Sequence, residues 1–490
     1  MENSAAKPQN EPVIENKELS IWEALIPVLI LVAMLAFNVF VFGDDALGGS
    51  NQFILLLGGA VAAIVGYFNQ VKFDTMVDEV AGNIQSTSGA ILILLMVGAL
   101  AGTWLISGII PTMIYYGLLI LNPTIFLAAC VVICSVISVA TGSSWTTSAT
   151  VGIALIGIAD ALGIGLGMTA GAILSGAYFG DKMSPLSDTT NLAPAMAGTD
   201  LFTHIKYMAL TTVPTITITL IAFIIIGLNL DTSGNTDTSA ILASIEKSFT
   251  ITPWLFIVPV IVIFLIVKKT SPLIALLVGT LAGAVAALIV QPDIVLAVSG
   301  MNELNFISGY KGLMNAITVD TAVETDSETL NDLFASSGMQ GMLGTIWLII
   351  CAMVFGGIME AIGALSRISK ALLNLFHTTF GLFASTVFSC LALNVTASDQ
   401  YLAIVVPGKM FAKAYKDKGL APENLSRSLE DSGTVTSVLI PWNTCGAYHS
   451  GVLGVPVLSY AGYAFFNYLS PFMTLLFAAI GLKIRKISTK

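Results

Sequence analysis

The sequence is poor in charge, in histidine and in paired cysteines. Only 10% of its 490 residues are charged and 56% are hydrophobic, whereas soluble proteins carry roughly 25% charged residues. Twenty basic residues against thirty acidic ones give a net charge of −10, so a basic groove for nucleic acid is excluded. Five cysteines, an odd number without paired spacing, exclude a disulfide framework. The chain is therefore neither a soluble enzyme nor a secreted scaffold.

Long apolar runs dominate instead, and many are long enough to cross about 30 Å of hydrocarbon. The predicted spans are 21–42, 50–68, 89–107, 163–200 (interrupted), 207–228, 253–267, 272–290, 341–361, 423–449 (interrupted) and 456–482. Apolar connectors at 108–122 and 362–376 are predicted to be interfacial helices. The sequence thus predicts an all-α polytopic membrane protein.

Loop charge predicts the orientation, because basic loops remain in the cytoplasm. The loop bases are Lys268, Lys269, Arg367, Lys370, Lys409, Lys413, Lys416, Lys418, Arg427, Lys483, Arg485 and Lys486. We therefore predict a cell inner-membrane protein with both termini in the cytoplasm. Residues 1–20 lack the basic region of a cleaved signal and are predicted to be a disordered tail, and 483–490 a second cytoplasmic tail. An external loop at 231–252 and an acidic external insertion at 291–340 complete the prediction.

Two further apolar stretches, 124–158 and 378–408, are broken near their middle by small and polar residues. The loop charges are consistent only if each stretch enters and leaves on one side, the first from outside and the second from the cytoplasm. Both are therefore predicted to be re-entrant hairpins, with tips at 141–148 and 394–400.

The two halves of the chain share a plan. A shift of 255 residues places Gly89, Gly102 and Gly108 on other glycines, and a shift of 250 places Asp181 on Asp431. We predict two inverted repeats of five spans, at 21–230 and 253–482, each with a re-entrant hairpin and an interrupted helix. Inverted repeats with broken helices are typical of secondary transporters.

Helix breaks in a membrane survive only where they line a cavity or are packed in protein. The two hairpin tips and the interruptions at 180–191 and 430–436 are therefore the predicted binding region. Hydroxyl, amide and carbonyl oxygens there are hard ligands suited to Na⁺. The predicted neutral ligands are Ser143, Ser144, Ser184, Thr189, Asn191, Ser398 and Thr434.

Acidic residues beside these breaks give the strongest signal. Asp181, Asp188, Asp399 and Asp431 are predicted to bind the ion and the proton. Each ionised carboxylate at mid-membrane costs roughly 2.5–3.5 kcal/mol, so a proton, a cation or a counter-charge must neutralise it. A carboxylate that cannot hold Na⁺ and H⁺ together exchanges them by competition. Further counter-charges or relays are predicted at Lys182, Glu360 and Glu430.

Other interpretations of these residues remain open at this point. Asp181 could form a structural ion pair with its neighbour Lys182, and Asp188 could cap a helix. Glu360 could extend to the membrane surface, and Trp145 could be either a gate or a packing residue.

Other functional classes fit the sequence less well. A channel would move ions without coupled protons, which paired repeats with broken helices disfavour. A membrane hydrolase would need a nucleophile–base pair or metal ligands. The three histidines, His204, His377 and His449, are scattered, and His449 could sense pH or simply pack. No cofactor is predicted.

The run Gly180–Pro194 resembles the NhaC family of sodium/proton antiporters, and Gly142–Trp145, Ser398–Tyr401 and Pro441–Thr444 are similar to that family as well. The resemblance extends from about residue 20 over nearly the whole chain. It implies an inner-membrane antiporter of the ion-transporter superfamily with paired re-entrant hairpins and sodium sites where a tip meets a broken helix. It also implies contact with lipid and, as in many such relatives, a homodimer.

The same family contains exchangers of small organic anions, such as malate for lactate, and amino-acid carriers. The alternative prediction is therefore a sodium- or proton-coupled organic-anion exchanger. A carboxylate substrate would need a cationic partner, for which Lys182 is the candidate.

Overall fold

The computed structural model describes residues 18–42, 49–230, 238–268, 270–325, 331, 334–375 and 378–487. Within these ranges, eight helices are long and apolar enough to cross a membrane, in agreement with an all-α polytopic membrane protein. The paired strands in the same ranges form one short antiparallel ribbon, β1 (Thr321–Ala322) with β2 (Ala335–Ser336). Residues 1–17 of the tail predicted at 1–20 lie outside the described residues, as do Lys269, the start of the 231–252 loop and residues 488–490.

The helices up to residue 248 are α1 (Ile21–Phe42), α2 (Ser50–Phe68), α3 (Phe73–Ile106), α4 (Ile109–Ile120), α5 (Pro123–Thr141), α6 (Ser144–Thr147), α7 (Ile153–Ala161), α8 (Leu166–Met183), α9 (Asp188–Ala197), α10 (Leu201–Asn229) and α11 (Thr238–Ser248). A π-helical turn, Ser148–Gly152, joins α6 to α7.

The later helices are α12 (Ile257–Val267), α13 (Pro272–Val290), α14 (Pro292–Ser299), α15 (Phe306–Thr318), α16 (Gly338–Gly341), α17 (Leu343–Ala361), α18 (Ala364–Leu375), α19 (Thr379–Thr396), α20 (Leu402–Asp417), α21 (Glu423–Leu429), α22 (Thr444–Leu453), α23 (Val457–Ala461) and α24 (Phe465–Ala479). A 3₁₀ turn, Pro253–Phe256, precedes α12. A π-helical turn, Glu430–Thr434, and a 3₁₀ turn, Ser437–Leu439, follow α21.

Most predicted spans coincide with helices, but some segments differ from the prediction. The span predicted at 89–107 is the C-terminal part of the longer helix α3. The polar residues that precede the apolar run are helical too and form the first half of α3. The span at 456–482 divides into α23 and α24. The stretches 231–252 and 291–340, predicted as loops, contain the helices α11, α14 and α15.

One residue assigned to a basic loop is buried instead. The guanidinium of Arg427 lies in the protein interior on α21, 4.5 Å from the ring centroid of Tyr207 and 5.8 Å from that of Phe477. Cation–π contacts of this kind compensate part of the cost of removing the charge from water.

The helix breaks recur at a nearly constant spacing. Left-handed backbone conformations occur at Gly142 (φ 71°) and Ser398 (φ 59°), and again at Gly198 (φ 83°) and Gly454 (φ 66°). The members of each pair are 256 residues apart. The same interval of 256 residues therefore separates both pairs of left-handed residues.

Helices α5 and α8 approach each other unusually closely. A Cβ atom added to Gly180 would lie 2.4 Å from Cβ of Ser138 and 2.5 Å from the backbone nitrogen of Val139. One added to Gly176 would lie 2.3 Å from the carbonyl oxygen of Val131. Small residues at such an interface permit backbone contact. This contact places the end of α5 beside the break that follows α8.

Candidate ion-binding site

A cavity of about 600 Å³ lies where the helix breaks meet. Its wall combines the α5–α6 break, the α8–α9 break, the α19–α20 break and the start of α22, with parts of α3 and the α12–α13 turn. Three of the four predicted acids, Asp181, Asp188 and Asp399, line it together. The structure therefore brings these helix breaks and three of the predicted acids together around one cavity.

The α5–α6 break presents hydrogen-bond donors to Asp181. Ser144 donates to Oδ2 of Asp181 through its hydroxyl (2.7 Å) and its backbone N–H (3.3 Å). Ser143 caps α6 by accepting the N–H of Thr146 at 3.2 Å, which fixes the orientation of this tip. Bonds from donors to a carboxylate stabilise its charged form. The α5–α6 break therefore holds the carboxylate of Asp181 at the cavity wall as a hydrogen-bond acceptor.

The left-handed turn at Gly142 makes this approach possible. A Cβ atom there would lie 2.6 Å from Cβ of Leu186 and 2.8 Å from its carbonyl carbon. Only glycine combines a positive φ with this lack of volume. The tip therefore rests directly on the α8–α9 break.

Side chains from both sides fix the α8–α9 break. Ser184 donates its hydroxyl to the carbonyl oxygen of Val139 at 2.9 Å. Thr190 donates to the carbonyl oxygen of Asp181 (3.0 Å) or Lys182 (3.1 Å), which the end of α8 leaves free. Carbonyl groups at a broken membrane helix need such partners.

The interpretation of Asp188 as a helix cap is wrong. Ser187 caps α9 by accepting the N–H of Thr190 at 3.4 Å, and Asp188 follows it, exposed at the edge of the cavity. Asn191 is exposed and stabilises the break by donating to the carbonyl oxygens of Pro185 (3.0 Å) and Ser187 (2.7 Å). Asn191 is not among the residues that line the cavity.

The α19–α20 break carries Asp399, which is buried and accepts the N–H of Leu402 through Oδ1 at 2.9 Å. Its neighbour Ser398 accepts the N–H of Thr444 on its carbonyl oxygen at 2.9 Å, which joins this break to the start of α22. Ser398 and Thr434, both buried, lie behind the cavity lining.

Asp431 is separate from the other acids. Its carboxylate pairs with the ammonium of Lys182, and both side chains are fully buried. Its second oxygen accepts the hydroxyls of Thr211 (2.8 Å) and Thr474. The alternative pairing of Lys182 with Asp181 is therefore wrong, and neither Lys182 nor Asp431 lines the cavity.

The two predicted relay residues lie outside the lining as well. Glu430 is buried and accepts the hydroxyl of the cavity residue Thr189 through Oε1 at 3.1 Å. Glu360 is half-buried in α17, where the charges of Glu79, Asp399 and Lys409 act on it.

Aromatic residues and amides missed by the site prediction complete the wall. Trp145 lines the cavity and stacks on Tyr448 with ring centroids 3.9 Å apart and planes 19° apart, so it is both a wall and a packing residue. Gln400 and Tyr401 also line it. Within the described residues, this lining contains no lysine, arginine or histidine. The sequence signal for Trp145, Gln400 and Tyr401 was their position in or directly after a predicted tip.

Membrane-length helices that break around buried carboxylates are typical of secondary transporters. Comparison with known proteins agrees: the profile described as "Na+/H+ antiporter family" matches residues 176–482. The Na⁺/H⁺ antiporter NhaC of Alkalihalophilus pseudofirmus is 37% identical over 87% of this chain and 89% of its own length. The chain belongs to the Na⁺/H⁺ antiporter family.

Relatives named for other substrates are similar over equally long stretches. The malate-2H⁺/Na⁺-lactate antiporter of Bacillus subtilis is 35% identical over 95% of this chain and 94% of its own length. The arginine/ornithine antiporter ArcD of Halobacterium salinarum is 33% identical over 96% of this chain and 93% of its own length. These relatives are antiporters rather than enzymes, and Na⁺/H⁺ exchange is supported at the level of the family.

Proposed function

We propose that this protein exchanges Na⁺ for H⁺ by competition at Asp181 and Asp399. The observation that carries the proposal is the charge of the cavity: three carboxylates line it, and its described lining offers no basic side chain. Such a wall attracts cations and repels anions. Either a Na⁺ ion or protons, but not both together, would neutralise Asp181 and Asp399, because ionised carboxylates are costly inside a membrane.

The two buried acids differ from the exposed one in their role. Asp181 and Asp399 are 8% and 6% exposed, so they pay the cost of desolvation and need a partner. Asp188 lies at the cavity edge and would concentrate cations there. Ser144 keeps Asp181 oriented. Asp431 would act as the counter-ion of Lys182 rather than as a transport ligand.

The matched helix breaks support two inverted repeats that enclose one site. Equal spacing of the left-handed residues is expected when both halves follow one plan, and alternating access then moves one part against the other. The cavity wall includes Thr270, Ser271 and Pro272 beside Lys268 of a predicted cytoplasmic loop. We therefore assign the cavity to a state open to the cytoplasm, with both termini on that side.

The test is release of a proton gradient in everted membrane vesicles after addition of NaCl. Asp181→Asn and Asp399→Asn are expected to abolish the Na⁺-dependent response. Asp200→Asn is the matched control, because Asp200 caps α10 outside the cavity and asparagine caps a helix equally well. A wild-type response in both cavity variants would reject the proposal.

A second candidate is exchange of a cationic amino acid. The cavity volume of about 600 Å³ exceeds the need of a metal ion, and Trp145 and Tyr401 offer aromatic faces beside the carboxylates. Such faces favour ammonium and guanidinium groups. A carboxylate substrate fits less well, because its predicted partner Lys182 is already paired with Asp431. Uptake of radiolabelled arginine, malate and lactate into proteoliposomes, each with and without Na⁺, separates these readings.

A further inference from the structure

Gln400 occupies a distinctive position in the cavity wall. It directly follows Asp399 in the α19–α20 break, is 6% exposed and lines the cavity. A buried amide has two donor hydrogens and one acceptor oxygen, and each normally finds a partner. What the amide contacts therefore decides what it offers to the cavity.

The contacts of the amide nitrogen fix its orientation. Nε2 of Gln400 donates to the carbonyl oxygen of Thr434 at 2.8 Å and to Oγ of Ser437 at 3.3 Å. The hydroxyl of Ser437 donates a hydrogen bond to the same carbonyl oxygen at 2.6 Å, so its Oγ can only accept the hydrogen bond from Gln400. Both amide hydrogens point toward the turns after α21, and the reversed amide would set two acceptors against each other.

We propose that Oε1 of Gln400 is a neutral ligand of the transported cation, positioned by Ser437 beside the carboxylate of Asp399. The inference rests on the proposed function and adds a ligand to it. With its nitrogen engaged on one side, the oxygen is the polar atom left for the cavity. An amide oxygen is a hard ligand that binds a cation without adding charge.

A neutral ligand held by two hydrogen bonds has a consequence for selectivity. Discrimination between cations of equal charge depends on cavity size, ligand number and ligand flexibility. Both amide hydrogens of Gln400 are hydrogen-bonded, so its oxygen can move closer to a smaller ion only if those hydrogen bonds break. Gln400 would therefore favour Na⁺ over Li⁺, whereas the carboxylates alone would bind both.

The experiment compares Gln400→Ala, Ser437→Ala and a matched control. Asn467→Ala is that control, because the buried Asn467 on α24 also donates its amide to a backbone carbonyl oxygen, that of Val435 (2.8 Å), but does not line the cavity. Half-saturating Na⁺ and Li⁺ concentrations are measured in everted vesicles. Stabilisation against heat by NaCl is measured on the purified protein.

Gln400→Ala is expected to raise the half-saturating Na⁺ concentration about tenfold, the loss of roughly one ion–oxygen interaction, and to reduce the Na⁺/Li⁺ preference. The heat stabilisation by Na⁺ should fall in parallel. Ser437→Ala should shift both in the same direction by a smaller factor, and it remains informative if Gln400→Ala does not fold. Asn467→Ala should lower stability without changing either Na⁺ measurement.

A Gln400→Ala variant with wild-type Na⁺ half-saturation and Na⁺/Li⁺ preference would overturn the assignment, as would equal changes in Asn467→Ala. Both results leave the proposed function intact if Asp399→Asn abolishes the Na⁺ response. A wild-type protein without any Na⁺ response would instead overturn the proposed function itself.

Discussion

Removing one member of the Lys182–Asp431 pair should destabilise the protein strongly. Both side chains are fully buried, so Lys182→Met leaves a carboxylate, and Asp431→Leu leaves an ammonium group, without a counter-charge. Breaking a buried pair in this way costs about 3–5 kcal/mol. The hydroxyls of Thr211 and Thr474 compensate only part of this cost for an isolated Asp431.

The double variant Lys182→Met/Asp431→Leu should recover most of the lost stability, because an apolar pair carries no desolvation cost. Unfolding of the purified protein in a mixed detergent series measures all four members of the cycle. Glu423→Gln is the control, since the Glu423–Arg485 pair is half exposed on its arginine side and an exposed pair contributes about 0–1 kcal/mol.

The same double variant tests the role of Asp431 in transport. If Asp431 is only the counter-ion of Lys182, the double variant should still release protons in response to Na⁺. Losses that simply add in the double variant would refute the coupling of the two charges. A stable double variant that is inactive would show that one of them carries an ion or a proton.

Three further results are expected. Gly142→Ala should abolish transport, because its Cβ would lie 2.6 Å from Cβ of Leu186. Gly198→Ala has a similarly positive φ but open space around it, so it should lower the free energy of unfolding by only about 1–2 kcal/mol and leave transport in place. The vesicle assay, corrected for expression level, compares the two variants. Tyr448→Leu should remove a ring stack worth about 0.5–1.5 kcal/mol and weaken Na⁺ binding by loosening Trp145, which a rise in half-saturating Na⁺ would report. Competition further requires that the half-saturating Na⁺ concentration rise as pH falls below neutral, and a constant value from pH 6 to pH 9 would contradict a shared site.

The helix breaks were predictable because their local chemistry is explicit in the sequence. Gly142 supplies a positive φ, and Ser143 and Ser187 supply helix caps, so the break positions follow from residue type. The apolar runs located α1 and α2 to the residue. The polar half of α3 was missed, because a criterion of membrane-length hydrophobicity ignores a helix that continues into water.

The partner of Lys182 was not predictable from its neighbour in the chain. Consecutive residues on a helix point about 100° apart, so Asp181 and Lys182 face different sides of α8. Asp181 faces the cavity and Lys182 faces Asp431, which lies 249 residues further along the chain. Only the packing of the two halves determines that contact.

The glycine seam between α5 and α8 limits how the molecule can work. Where Gly176 and Gly180 meet Val131 and Val139, no side chain separates the two main chains, and sliding would collide atoms already at contact distance. Under the proposed alternating access, Ser144 and Asp181, at adjacent ends of this seam, would move together in each cycle. The ion would keep its first coordination partner whichever face of the membrane it is released to.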